Sequence, residues 1–153
     1  MAEYSAIALQ TINPGESAVF TNAPVPCLRN FVRWRDGTGA FNLSGWVPNR
    51  PCCCPARSAQ YLVNFGANIA VPEGETVGPI SVALALDGVT LTETTMMFPP
   101  VAVEEFFNVS RATMVPIWRN CCQTLTVRNT SNIPILMQQA NIIFSRPDLA
   151  VTY

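Results

Sequence analysis

The sequence predicts an all-β fold built as an antiparallel sandwich or barrel, and three observations support this class. Thirteen prolines and eight glycines separate short runs rich in β-branched and aromatic residues, roughly every 8 to 12 residues, which is typical of such folds. No segment shows an apolar repeat of helical period over a useful length. Residues 80–86 instead alternate large and small side chains, as a strand does when one of its faces enters a core.

The predicted strands follow one another with turn sequences between them. In chain order, we predict strands at residues 4–10, 17–22, 31–35, 40–46, 60–70, 77–86, 89–95, 104–110 and 113–118, followed by a hairpin within 121–146. Asp36-Gly37-Thr38-Gly39 and Asp87-Gly88 would close two further hairpins. We also expect a bulge at Gly66 and a loop at 47–57, because three prolines and three cysteines there disfavour a regular strand.

The segment 121–146 is the most regular part of the sequence. Its first arm alternates Leu125 and Val127 with polar residues, and its second arm is apolar on both faces for much of its length. We therefore expect Ile142 and Phe144 to lie in the core, and Ile143 to face another layer or another subunit.

The composition predicts one domain, residues 1–153, that assembles with other chains. A chain of this length can bury its own core, but only 12% of its residues are charged, about half the usual fraction. A monomer would therefore expose apolar surface, which favours an obligate oligomer or a lattice. Because Ser81, Ala83 and Ala85 are small and would permit close approach of another sheet or subunit, we predict a subunit interface at these residues and at Ile143.

The charge distribution indicates no nucleic-acid partner and no membrane insertion. The formal net charge is −1, so no field attracts nucleic acid or anionic lipid. No window approaches the roughly 18 continuous apolar residues of a membrane helix.

The first five residues lack the features of a signal peptide, so we expect export by lysis or by a dedicated assembly pathway. All nine basic residues are arginine, which suits interfaces but also fits a compositional habit of the source genome.

The six cysteines allow three interpretations. They could be reduced thiols that behave as small apolar residues, they could form disulfides, or some could bind a metal ion through a thiolate cluster. Adjacent cysteines are poorly spaced for one tetrahedral metal, and no histidine is available to complete a mixed site. The disulfide candidates are Cys27, Cys52, Cys53, Cys54, Cys121 and Cys122, and the weaker metal alternative uses Cys52, Cys53, Cys54, Cys121 and Cys122.

The sequence predicts no enzyme, no catalytic residue and no cofactor. It contains no histidine, so a Ser-His or Cys-His pair cannot form within the chain. The acidic pair Glu104-Glu105 would point to opposite faces of a strand, which does not suit a two-carboxylate glycosidase site.

Aromatic residues give the remaining candidate for a binding site. Trp34, Trp46 and Trp118, with Phe41 and Tyr61, could line a platform for a sugar, although aromatic residues on strands more often serve as core or interface anchors. The candidate glycan contacts are Trp34, Trp46 and Trp118.

The second half of the sequence has features of a known fold. Residues 124–146 contain an Asn-rich turn followed by a final strand with Ala140, Ile142 and Arg146 in an A-x-I-x-x-x-R pattern, and residues 72–88 give a turn, a core strand and a hairpin. This combination resembles the tumour-necrosis-factor-like and C1q-like jelly rolls of bacterial and phage surface proteins. The resemblance implies an all-β, antiparallel two-sheet jelly-roll sandwich that forms a homotrimer, with apolar strands facing the threefold axis.

The same resemblance implies a structural role. We expect a trimeric decoration or head-fibre module at the virion surface of a phage, attached to the major capsid protein or to another virion or surface-lattice component. The alternatives are a jelly-roll module of a bacterial cell surface or spore coat, and a module that binds host-surface glycan.

Overall fold

The computed structural model describes residues 1–27, 29–48, 57–119 and 122–149, which form two antiparallel sheets around a common core. This part of the chain contains no α-helix, and none of its helical turns is long and apolar enough to span a membrane. The strands are β1 (Ala2–Ala6), β2 (Gln10–Ile12), β3 (Asn22–Val25), β4 (Val32–Trp34), β5 (Phe41–Ser44), β6 (Ser58–Ala70), β7 (Ile80–Leu86), β8 (Val89–Thr90), β9 (Met96–Phe98), β10 (Phe107–Trp118), β11 (Cys122–Asn129) and β12 (Ile135–Ser145).

Each sheet has six strands. Sheet A has the order β10-β6-β12-β1-β3, and β2 pairs with part of β12; sheet B has the order β4-β5-β11-β7-β8, and β9 pairs with part of β7. All of these strand pairs are antiparallel. The predicted antiparallel, two-sheet architecture is therefore confirmed.

The core lies between the two sheets and is formed by alternate residues of the long strands. On β6, every second residue from Ala59 to Ile69 is buried, which is the period of a strand with one face in a core. Aromatic rings connect the sheets, since the ring centroids of Tyr4 and Phe144 each lie 5.0 Å from that of Phe41. Ile142 and Phe144 are 0% and 1% exposed, so the prediction for these two residues is confirmed.

The hairpin predicted within 121–146 is wrong, because its two arms belong to different sheets. β11 pairs with β5 and β7 in sheet B, whereas β12 pairs with β1, β2 and β6 in sheet A. The turn after Asn129 carries the chain across the sandwich. Strand periodicity shows which residues enter the core, but it does not show which strand is the hydrogen-bonding neighbour.

The two hairpins predicted from turn sequences are confirmed. β4 pairs with β5, and β7 pairs with β8 around Asp87-Gly88. Asp87 has φ 50° and Gly88 has φ 82°, and these positive angles define the turn that matches the twist of a hairpin. The predicted return strand 89–95 is shorter than expected, because only Val89–Thr90 is a strand and Thr92–Thr94 forms a 3-10 turn.

Three other strand predictions need correction. The predicted bulge is not on the strand that contains Gly66. Gln138 pairs with Asn68 and Asn141 pairs with Gly66, so β12 has one more residue than β6 between these two pairs. The bulge therefore lies on β12, opposite Gly66. Residues 104–110 and 113–118 contribute to one continuous strand, β10. The strand expected at 17–22 makes only single bridges at Ser17 and Phe20, and the true strand β3 runs through Pro24, which the edge of a sheet tolerates.

The β4–β5 loop packs closely against residues 17–18, which gives a stability prediction. A Cβ atom at Gly39 would overlap the carbonyl oxygen of Ala18. We therefore expect Gly39→Ala to lower the free energy of unfolding by about 2 kcal/mol, since backbone must move to relieve such a contact. Gly78→Ala is the matched control, because a Cβ there has nothing within 4 Å. Chemical denaturation measures both variants, and equal stability of the two would contradict the prediction.

Candidate functional site

The face of sheet A that points away from the core is the candidate assembly surface. Residues of β6 that alternate with the core residues point outward, and their partners in the register share that face. We call this surface the outer face of sheet A; its residues are Glu3, Ser5, Ser58, Gln60, Leu62, Asn64, Gly66, Asn68, Asn108, Ser110, Ala112, Met114, Pro116, Trp118, Gln138, Asn141, Ile143 and Ser145.

The outer face of sheet A carries little charge. Glu3 is the one ionisable side chain among its residues, and its carboxylate accepts a hydrogen bond from the Asn141 amide. Small residues occupy the middle, because Gly66 pairs with Ser110 and the next row contains Ala112. A nearly neutral surface with small side chains at its centre can contact another protein closely at a low desolvation cost.

One end of this surface is apolar and the other is polar. Leu62, Met114 and Trp118 lie towards the end near Ser58, and Met114 and Trp118 are exposed. At the other end, Asn108 donates to Asn68, and Asn68 donates to Gln139. The predicted interface residue Ile143 lies on this face, between Asn64 and Glu3, and is half-buried.

The other predicted interface residues lie elsewhere. Ser81, Ala83 and Ala85 belong to the outward-facing side of β7 in sheet B, so the structure does not bring them together with Ile143. Ala83 and Ala85 are fully buried within the single chain. Arg128 lies opposite Ala83 and donates to the carbonyl oxygens of Gly15 and Gly88. The interface at these residues remains a prediction.

The cysteine interpretations also remain predictions. Cys52, Cys53, Cys54 and Cys121 lie outside the described residues. Cys27 is half-buried against the core, and Cys122 begins β11 at the surface. Within the described ranges, no three His, Cys, Asp or Glu side chains come together as metal ligands.

The structure separates the aromatic residues of the predicted sugar platform. Phe41 and Tyr61 are 0% exposed, so that interpretation is wrong for these two residues, which serve the core. Trp34 donates through Nε1 to the Thr38 carbonyl oxygen at 3.0 Å and packs against Tyr4. Trp118 is exposed at the end of β10 in sheet A, whereas Trp46 follows β5 of sheet B. The three tryptophans therefore do not form one platform.

Arg146, which the sequence pattern singled out at the end of the final strand, organises a cluster that the sequence did not predict. We call Phe31, Trp46, Tyr61, Arg146 and Asp148 the Arg146 cluster. The guanidinium carbon lies 5.1 Å from the ring centroid of Phe31 and 4.8 Å from that of Tyr61. The guanidinium also forms a two-point ion pair with Asp148, with distances of 2.8 Å and 2.7 Å, and donates to the Trp46 carbonyl oxygen.

Burial and charge pairing determine the electrostatics of the Arg146 cluster. Burial raises the pKa of Tyr61 to about 12, although the nearby Arg146 partly opposes this shift. The Tyr61 hydroxyl lies within hydrogen-bond distance of the carbonyl oxygens of Phe31 and Ser44. Burial alone would raise the pKa of Asp148, but hydrogen bonds from Arg146 and from the Gln60 amide outweigh it, and the pKa is lowered. The cluster therefore holds a buried charge pair that joins the end of sheet A to sheet B.

A cleft lies beside the Arg146 cluster. It has a volume of about 620 Å³, within the range of small-molecule sites. Its described lining is Arg29, Asn30, Phe31, Arg33, Ser44, Trp46, Pro48 and Leu149. Of these residues, only Trp46 was a candidate from the sequence. The sequence pattern that could have indicated the cleft is the pair Arg29 and Arg33, which are four residues apart with the aromatic Phe31 between them.

Comparison with solved structures assigns the fold. The chain superposes on the structure of Eiger TNF from S. frugiperda with a TM-score of 0.66 and 12% identity, covering 99% of this chain and 93% of that one. It superposes on the globular domain of zebrafish complement 1qA with a TM-score of 0.57 and 10% identity, covering 94% and 96%. No family model and no curated protein matches the sequence. The fold is therefore a jelly roll of the type seen in tumour necrosis factor and C1q domains, as predicted.

Proposed function

We propose that this protein is a non-enzymatic structural module that forms a homotrimer through the outer face of sheet A. The observation that carries the proposal is the near-neutral character of this face, where Glu3 is the one ionisable group among its residues. Surfaces that remain in water normally carry many charges, whereas the centres of protein interfaces are depleted in charge. This face also exposes Met114 and Trp118, and both residue types are enriched at interfaces.

Trimerisation would proceed by burial of apolar surface. Each Å² of apolar area removed from water contributes roughly 25 cal/mol, and the ordering of side chains and the loss of translational freedom oppose this gain. Gly66, Ser110 and Ala112 reduce the opposing cost, because they have few or no rotamers to lose. We further propose that residues 1–153 act as one jelly-roll domain.

We propose that the trimer decorates a phage capsid, as a decoration or head-fibre module bound to the major capsid protein at the virion surface. The low charged fraction of 12% and the jelly-roll fold support a lattice component. A module of a bacterial cell surface or spore coat is the alternative. Electron microscopy of purified phage capsids mixed with the protein distinguishes the two proposals. A decoration module is expected to add density to the capsid, and a bacterial surface module is not.

The trimer is tested by a charge placed in the middle of the outer face of sheet A. We expect the unmodified protein to sediment as a trimer at micromolar concentration, and Ala112→Arg to sediment as a monomer. Ala112 is exposed and lies opposite Asn64 in the register, so arginine there would be buried without a partner at a subunit contact. Analytical ultracentrifugation measures both proteins.

Val89→Arg is the matched control for this experiment. Val89 is an exposed apolar residue of β8 at the edge of sheet B, so the same substitution there should leave the trimer intact. An unmodified protein that stays monomeric at micromolar concentration would refute the proposal, as would equal dissociation by the two variants.

A further inference from the structure

We infer that the cleft beside the Arg146 cluster binds a carboxylate-bearing sugar, through Arg29, Arg33 and the face of Trp46. This inference concerns a ligand site on sheet B and does not depend on trimerisation through sheet A. It begins from the lining of the cleft, which includes two arginines and no acidic residue among the described residues. The cleft therefore favours an anion.

The two arginines are available to a ligand. Both side chains are exposed, and neither guanidinium forms an ion pair or hydrogen bond within the described ranges of the chain. By contrast, the nearby Arg146 is buried and already paired with Asp148, so its charge is neutralised. A guanidinium presents a planar fork of donors that matches the two oxygens of a carboxylate, which makes this pair suited to an acidic group.

Trp46 supplies an apolar platform in the same cleft. Its ring is stacked on Phe31, with centroids 6.0 Å apart and planes 22° apart, yet 53% of the residue is exposed. One apolar face of a sugar ring packs favourably on such a surface, since an aromatic ring offers a broad apolar area with few rotatable bonds. The adjacent Asn30 and Ser44 add side chains that can hydrogen-bond to hydroxyl groups.

Contacts within the chain hold the backbone of Trp46 and support one face of its ring. The backbone N–H of Trp46 donates to Ser44 Oγ at 3.2 Å, and its carbonyl oxygen accepts from Arg146 at 3.1 Å. Phe31, beneath the indole ring, is held through its carbonyl oxygen by the Ser44 N–H and lies within hydrogen-bond distance of the Tyr61 hydroxyl. A platform that is already supported avoids part of the entropy cost of binding. The combination of a supported ring, two available guanidinium groups and small polar neighbours identifies an acidic sugar as the ligand.

Calorimetric titration of the full chain tests this inference with two matched pairs of soluble saccharides. These are trigalacturonic acid against galactotriose, and sialyllactose against lactose. We expect at least one acidic member to bind at least about tenfold more tightly than its neutral partner. We also expect the affinity to fall as the salt concentration rises from about 0.05 M to about 0.5 M, because exposed charges are screened.

Variants locate the site. Arg29→Gln, Arg33→Gln and Trp46→Ala should each weaken binding of the acidic saccharide by about tenfold. Arg111→Gln and Phe107→Ala remove similar types of side chain from β10, where both residues are exposed, and should leave binding unchanged. Circular dichroism spectra confirm that each variant is folded.

Three results would overturn the inference: no binding of either acidic saccharide, equal binding of acidic and neutral members, or an equal loss of affinity in the control variants. Sedimentation of the same samples reports the trimer separately. A monomer that binds the acidic sugar would refute the proposed trimer alone, and a trimer that does not bind would refute the sugar site alone.

Discussion

Asp148→Ala should lower the free energy of unfolding by about 3 kcal/mol, because it leaves the Arg146 guanidinium buried without its counter-ion. The side chain of Arg146 is only 5% exposed, and that of Asp148 is 21% exposed. The substitution also removes the acceptor of the Gln60 backbone N–H, which lies 3.1 Å from Asp148 Oδ2. Urea denaturation followed by tryptophan fluorescence measures the loss.

Two further variants separate the ion pair from a general effect of removing charge. Asp36→Ala deletes an exposed carboxylate in the β4–β5 loop and should change stability by less than about 0.5 kcal/mol. Arg146→Met combined with Asp148→Ala removes both charges together and should cost less than the sum of the single losses, since the two residues interact directly. A strictly additive double variant would contradict the assigned pairing.

The same pair gives stability a defined dependence on pH. The pKa of Asp148 is lowered in the folded state from its ordinary value of 3.8, so the unfolded chain binds the proton more readily. The contribution of Asp148 to stability is therefore fully present above pH 3.8 and is lost as the pH falls through the lower folded-state pKa. The stability difference between the unmodified protein and Asp148→Ala should accordingly shrink below about pH 4, and a constant difference down to pH 2 would argue against it.

Asn129→Ala should also destabilise the protein by about 3 kcal/mol, because three backbone groups lose their partner. Asn129 is 1% exposed. Its side-chain nitrogen donates to the carbonyl oxygens of Ile12 and Ile133 at 2.9 Å and 3.0 Å, and its side-chain oxygen accepts from the Ser131 N–H at 2.8 Å. Alanine can replace none of these bonds, so backbone groups at the crossing between the sheets would be left unsatisfied.

Asn132→Ala is the matched control, since Asn132 lies in the same turn but is exposed. We expect its effect to be below about 0.5 kcal/mol. Thermal unfolding monitored by circular dichroism compares the two variants, and a similar melting temperature for both would show that the side chain of Asn129 does not stabilise the crossing.

The sequence predicted which faces of the strands enter the core and where a hairpin turn lies, but it did not predict which strands pair with one another. The alternation along β7 identified which of its faces enters the core, and Ile142 and Phe144 of β12 were correctly assigned to the core. Such assignments succeed because side-chain direction is a local property of a strand. Asp87-Gly88 identified a hairpin for the same reason, since positive φ angles are set within the turn. The partner of β12 could not be predicted, because β1 joins it from the other end of the chain, pairing Ala2 with Phe144.

The candidate site was predictable only in part. Ile143 was correctly expected to point away from the core, and Trp46 was among the candidate sugar contacts. The convergence of Arg29, Arg33 and Trp46 in one cleft depends on the β4–β5 pairing and on Arg146, which reaches the Trp46 carbonyl oxygen from 100 positions further along the chain. Contacts between residues this far apart in the chain produce no periodic pattern in a single sequence, so they could not be predicted from it.

The position of β12 has a consequence for biosynthesis. This strand lies between β6 and β1 at the centre of sheet A, yet it is formed by residues 135–145 near the end of the described chain. While a ribosome is still making the chain, β1 and β6 have no strand to join them, and their backbone edges remain open to other chains. Sheet A can close only after translation has passed Ser145, so we expect folding to be dominated by contacts between distant parts of the chain.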